Sequence, residues 1–248
     1  MGMLFHVLRP LLLTAAISAV WACGSDHGGT PTQPSPQPMP ARPPAPVVVH
    51  DTLQPAENRD VTRLYSSFAY VDEFGRVGPF SFVVDDFVST ISGQLRSVAW
   101  QGGYCDPRFQ VAEVVPPPVA RSFEVILTED SRGGPAFFNT PLVTPLLTAT
   151  FTPAEAQEQR VFDVLRVTDI GCGAKVPAPF SYYRYSITVP RPVEIIAGRR
   201  YWLRVLADIG SSGLVWGWRG GTADNAFTWS SFSNTFYPAD MAFSVTVQ

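Results

Sequence analysis

Histidine is nearly absent from this 248-residue sequence: His6, His27 and His50 are the only three, and all stand within its first 50 residues. They fall ahead of the part expected to fold or at its border, so the folded part is expected to hold none. Without histidine, Ser-His-Asp and Cys-His catalysis and histidine-ligated metals are excluded there. Lysine is scarcer still, because every basic residue except Lys175 is arginine. The arginines are scattered, so no basic footprint for nucleic acid forms. No Gly-rich phosphate loop is present, and helical periodicity is hard to find.

What is present begins with MGMLFHVLRPLLLTAAISAVWAC. One positive charge, Arg9, precedes an apolar run from Pro10 to Ala22 that is too short to span a bilayer and has the form of an export signal. Its end, Val20-Trp21-Ala22-Cys23, resembles the lipobox of bacterial lipoproteins, in which cleavage precedes a cysteine whose thiol is lipidated. Trp21 departs from the small residue usual there. The alternative is an ordinary secretory signal that leaves Cys23 as a free thiol. Gly24 and Ser25, rather than Asp, follow the cysteine, and in a Gram-negative cell the resemblance implies sorting to the outer membrane or cell surface. Residues 24–48 are rich in Pro and polar residues and cannot bury enough surface to offset the entropy of ordering. They read as a disordered spacer between a signal over 1–23 and a domain over 49–248. Of the 18 basic residues only Arg9 lies in the signal, leaving 17 against 21 acidic residues, a mildly acidic chain.

If Cys23 carries lipid, the domain keeps Cys105 and Cys172, an even number in an oxidising compartment. A disulfide between them would close a loop of about 68 residues and stabilise by roughly 4 kcal/mol. Two separate buried thiols are the alternative. Two cysteines without a histidine cannot complete a structural zinc site.

Period-two alternation recurs along the domain. Phe123, Val125 and Leu127 alternate with Glu124, Ile126 and Thr128, as do Tyr201, Leu203 and Val205 with Trp202, Arg204 and Leu206. Segments 80–84, 94–100, 123–128, 146–151, 161–167, 182–189, 201–206, 213–218 and 241–247 are the strand candidates. About nine strands separated by Gly, Pro, Asn and Asp predict an all-β fold, an antiparallel sandwich. Segment 153–159 is helix-like but is too short for more than a turn or two. In VAWQGGYCDP (98–107), Trp100 is expected to point inward, with Gly102 and Gly103 turning the chain at a strand corner.

The order VVDDF (83–87), LRSVAWQGGYCD (95–106), FEVILTEDSRGGP (123–135), YYRYSITVPRPVEIIAGRRYWLRVLAD (182–208), VWGW (215–218) and DMAFSVTV (240–247) resembles jelly-roll-like β-sandwich domains. These occur in secreted and surface-anchored bacterial proteins, including exosortase-sorted ones, and mostly lack an assigned activity. The resemblance covers about 80–248 and implies the fold more than any function. Members sorted by exosortases carry a C-terminal anchor where this sequence stops at a strand, which fits an N-terminal lipid taking over the anchoring.

Acid/base chemistry is left to carboxylates. Asp85-Asp86 and Glu129-Asp130 are adjacent pairs whose side chains should point to opposite faces of a strand. A glycosidase would need two carboxyls across a cleft, drawn from separate pairs. Asp85, Asp86 and Asp130, near strand ends, are alternatively candidate calcium ligands, calcium being the one cofactor such oxygens suit. Solvated turn carboxylates are the bland reading. Trp216 and Trp218 share a strand face and either fill the core or form a sugar platform. Trp229 and Tyr237, in FTWSSFSNTFYPAD, with Trp218 and Asn225, are the candidate ligand-binding set, because recognition tends to sit on loops carried by a rigid scaffold. The reading is a non-catalytic, lipid-anchored binding or adhesion module with carbohydrate as the ligand class. Its partners would be a polysaccharide or an envelope protein, with membrane contact through the N-terminal lipid only. A glycan-cleaving enzyme and a purely structural envelope protein are the alternatives.

Overall fold

The alternating segments form strands because period two places one apolar row on each side of an interior, and a second sheet must cover that row. The computed structural model describes residues 42–53, 64–71, 77–105, 117–130, 144–164, 180–222, 228–231 and 235–248. Within Pro43–Gln248, a single compact unit, the strands are β1 (Val47–Asp51), β2 (Leu64–Ser66), β3 (Phe68–Val71), β4 (Val77–Ser81), β5 (Val83–Val88), β6 (Gly93–Cys105), β7 (Ser122–Glu129) and β8 (Leu147–Phe151). They continue with β9 (Gln159–Val164), β10 (Phe180–Thr188), β11 (Glu194–Ile195), β12 (Arg200–Asp208), β13 (Val215–Arg219), β14 (Thr228–Ser230), β15 (Thr235–Tyr237) and β16 (Phe243–Val247).

The first sheet runs β1-β16-β6-β10-β9, with β13 pairing the far half of β6, β2 pairing β13 and β11 pairing the start of β6. The second runs β15-β14-β5-β12-β3-β4, with β7 and then β8 on the other side of β12. All pairings are antiparallel except the short β12–β3 contact. The all-β sandwich is therefore as expected. Sixteen strand segments among the described residues replace the expected nine or so, because short strands with no alternation of their own join the sheets and Phe82 splits the segment predicted over 80–84.

Rings fill the space between the sheets. Trp100 stacks on Tyr185 at 5.2 Å and 11°, and Phe123 meets Tyr185 and Trp216 at 4.7 and 5.4 Å. Trp216 and Trp218 are both fully buried in this core. Trp218 donates its indole N–H to the Ala242 carbonyl at 3.1 Å, so it is a packing residue and not a ligand platform. At one end the turn over 153–157 begins with a capping box, Glu155 N–H to Thr152 Oγ1 at 3.3 Å and Thr152 N–H to Glu155 Oε2 at 2.7 Å. That turn delivers Glu158 to the Tyr104 hydroxyl at 2.9 Å.

Three expectations change. Gly102 and Gly103 do not turn the chain. They sit inside β6, in register with β10 and β13, where a Cβ on Gly102 would lie 2.2 Å from the Trp216 ring and one on Gly103 2.2 Å from the Ser181 carbonyl. Glycine is required there for close approach. The fold also starts earlier than composition suggested, with Val47 and Val48 of the expected spacer already paired to β16. Finally, the domain does hold a histidine: His50 lies buried in β1, its ring 4.2 Å from Phe243 and 5.8 Å from Phe87. The VVV run before it earns the strand, and the ring packs as an aromatic.

Candidate ligand face on the second sheet

Alternation along β5 sends Val83 and Phe87, and with them Asp85, toward the space between the sheets, and Val84 and Asp86 to the other face, where both are also buried. The outward row continues across the sheet in register: Trp202 of β12 opposite Asp86 and Thr128, Arg204 opposite Val84 and Ile126, and Trp229 of β14 between Val84 and Phe236 of β15. Charges on this side are paired. Arg200 Nε lies 3.3 Å from Asp86 Oδ2, and Arg204 Nη2 donates to Glu124 Oε2 at 2.5 Å. Trp202 donates its indole N–H to Asp130 Oδ1 at 2.8 Å, while Arg199 pairs at 2.5 Å with Glu129, which lies opposite Tyr201 of the inward row at the strand end. The Arg204 guanidinium also lies over Phe82, 4.9 Å from the ring centre, and burial holds its pKa below the ordinary arginine value despite Glu124.

An apolar cluster of Phe82, Val84, Trp202 and Trp229 runs through the middle of this face, with Phe82 and Trp229 ring centres 5.6 Å apart. Trp229 keeps only 9% of its surface exposed, whereas Phe236, directly across from it, keeps 42%. The rim at β15 is therefore the open end of an otherwise filled face.

Residues 66–246 match the family described as a domain of unknown function, DUF7901. The chain belongs to that family. No curated protein matches it. The DUF7901 span takes in nearly every strand of both sheets and leaves out β1, so the histidine strand lies outside it.

Within the DUF7901 span the expected site residues separate. Asp86, Asp130 and Trp229 share the outer face, whereas Asp85 points into the sandwich. There Asp85 Oδ1 lies 2.9 Å from Thr228 Oγ1, and its Oδ2 accepts from Met241 N–H at 2.6 Å. The calcium set is thus not assembled, since its members lie on two faces and each already holds a protein donor. Among the described residues no three His, Cys, Asp or Glu side chains group as a metal would need. Trp218 belongs to the core. Tyr237 ends β15 opposite Thr228, and its side chain is outside the described residues, as are Asn225, Cys23 and Cys172. Cys105 closes β6, so its proposed bridge to Cys172 lies outside the described residues. Phe236, Trp202 and the three arginines escaped the sequence reading. The alternation YWLRVL did carry Trp202 and Arg204 to a common side, but polarity gave no sign of which face they share.

Proposed function

We propose that this protein is a non-catalytic, exported binding module, anchored through lipid on Cys23, whose outer second-sheet face takes a carbohydrate at the β14–β15 rim. The observation that carries the reading is the exposed Phe236 ring, paired across Trp229 at the open edge of a face of aromatic and ion-paired side chains. A flat ring presents an apolar surface that suits the C–H face of a sugar. Engagement of Asp86, Glu129 and Asp130 with Arg200, Arg199 and Trp202 supports binding over glycan cleavage, because a general acid or nucleophile must reach a substrate rather than a structural partner. The signal and the Pro-rich spacer support display away from a membrane surface.

Retention of the full-length protein on a panel of immobilised polysaccharides tests this. Retention by at least one member that weakens on Trp229→Ala or Tyr237→Ala is the expected result. Retention by none, or by all variants equally, refutes the carbohydrate reading.

A further inference from the structure

The interior carboxyl of Asp85 sits where proton counting is decisive. Thr228 Oγ1 lies 2.9 Å from Asp85 Oδ1 and 2.5 Å from the Ala239 carbonyl oxygen. A hydroxyl carries a single hydrogen, and a carbonyl can only accept. The shorter contact to Ala239 therefore takes the Thr228 proton. The contact to Asp85 is then a hydrogen bond only if Asp85 supplies the hydrogen, while its other oxygen accepts from Met241 N–H at 2.6 Å. We infer that Asp85 folds as the neutral acid, its O–H donated from Oδ1 to Thr228, so that one proton is a fixed member of the clamp joining β5, β14 and the 239–241 connection.

The same connection is gripped from the other side. Thr52, just past β1, donates Oγ1–H to the Met241 carbonyl at 2.6 Å and accepts from Phe243 N–H at 3.2 Å. His50 Nε2 stands 3.3 Å from that hydroxyl. Losing the Asp85 proton would leave a buried charge and the Ala239 carbonyl competing for the single Thr228 hydrogen. The clamp would loosen where β15 leads into β16, beside the strands that carry Trp229 and Phe236. The clamp exists whether or not that face binds a glycan.

Electrostatics agree. Burial is the largest influence and pushes Asp85 well above its ordinary value, the Met241 hydrogen bond opposes it, and Asp240 and Asp86 push it further up. Asp240 comes from the connection and Asp86 from the opposite face of β5, while β1 contributes the titratable His50, whose ring packs on Phe87. A raised carboxyl stabilises fully below its unfolded value, and that contribution is lost as pH rises through the folded one.

Thermal unfolding of the full-length protein and its Asp85→Asn variant, followed from pH about 4 to about 8, tests the clamp. An asparagine amide donates to Thr228 and accepts from Met241, copying the neutral acid. The wild-type midpoint should fall with rising pH, the variant should lack that component, and at neutral pH it should unfold at or above the wild-type temperature. Equal pH slopes, or a variant less stable at neutral pH, overturn the inference. If Asp85→Asn does not fold, the Asp85 side-chain carboxyl carbon followed by NMR in the wild type decides. A protonated shift persisting after exposed aspartates have ionised supports the clamp, and an ionised shift at that pH overturns it.

Discussion

Replacing Gly103 by alanine tests the packing of β6 more sharply than any ring deletion. The new Cβ would stand 2.2 Å from the Ser181 carbonyl oxygen and 3.2 Å from Leu64 Cδ1. The first obstacle is backbone in β10, held to β6 over nine paired residues from Phe180↔Cys105 to Thr188↔Ser97, so relief requires the ladder itself to move. Overpacking of this kind costs typically about 1–3 kcal/mol, and a rigid obstacle places the change at the upper end. Alanine returns about 0.4–1 kcal/mol through the smaller freedom of the unfolded chain. A net loss of about 2 kcal/mol lowers the unfolding midpoint of a domain this size by about 4–8 °C. Gly198→Ala is the control: nothing lies within 4 Å of its added Cβ, but its φ of 77° is left-handed. There the strain, roughly 1–2 kcal/mol, exceeds the same entropic gain, for a net cost of about 1 kcal/mol, below that of Gly103→Ala. Thermal denaturation of both variants by circular dichroism makes the comparison. A Gly103→Ala protein as stable as wild type, or more stable than Gly198→Ala, would refute close approach as the reason for the glycine.

Thr52→Val keeps the side-chain shape but leaves the Met241 carbonyl and Phe243 N–H without their buried hydroxyl partner. It should cost about 1–3 kcal/mol in denaturant titration. Deletion of residues 1–42 should leave the melting temperature unchanged, since the compact unit begins at Pro43. Deletion through Asp51 should lower it strongly, because it removes β1 and the His50 ring from Phe243 and Phe87.

Long alternating strands were legible in the sequence because each has one inward row: Phe123, Val125 and Leu127 in β7, and Tyr201, Leu203 and Val205 in β12 are all buried in the core. The same rule placed Asp85 and Asp86 on opposite faces. Elements without alternation were not legible. β1 was hidden by the prolines before it and by a histidine that packs as a ring. The Gly102-Gly103 pair carries the composition of a turn, yet close approach of Trp216 and Ser181 demands the same residues within a strand. Trp229 was read as a loop residue from its polar neighbours. Burial came instead from Phe82 and Trp202, which are remote in sequence, and no local pattern announces such a contact. Phe236 stands in the same polar stretch, where nothing local separates an exposed ring from a buried one.

Phe236→Ala offers the most direct test of the proposed ligand face, because an exposed ring can be removed without opening the core. Titration of the full-length protein with the polysaccharide that retains it should show binding that the variant loses by at least about tenfold, the effect of roughly 1.4 kcal/mol at one contact. The melting temperature should stay the same. Undiminished binding by a folded Phe236→Ala protein would contradict the assignment of the β14–β15 rim as the ligand site.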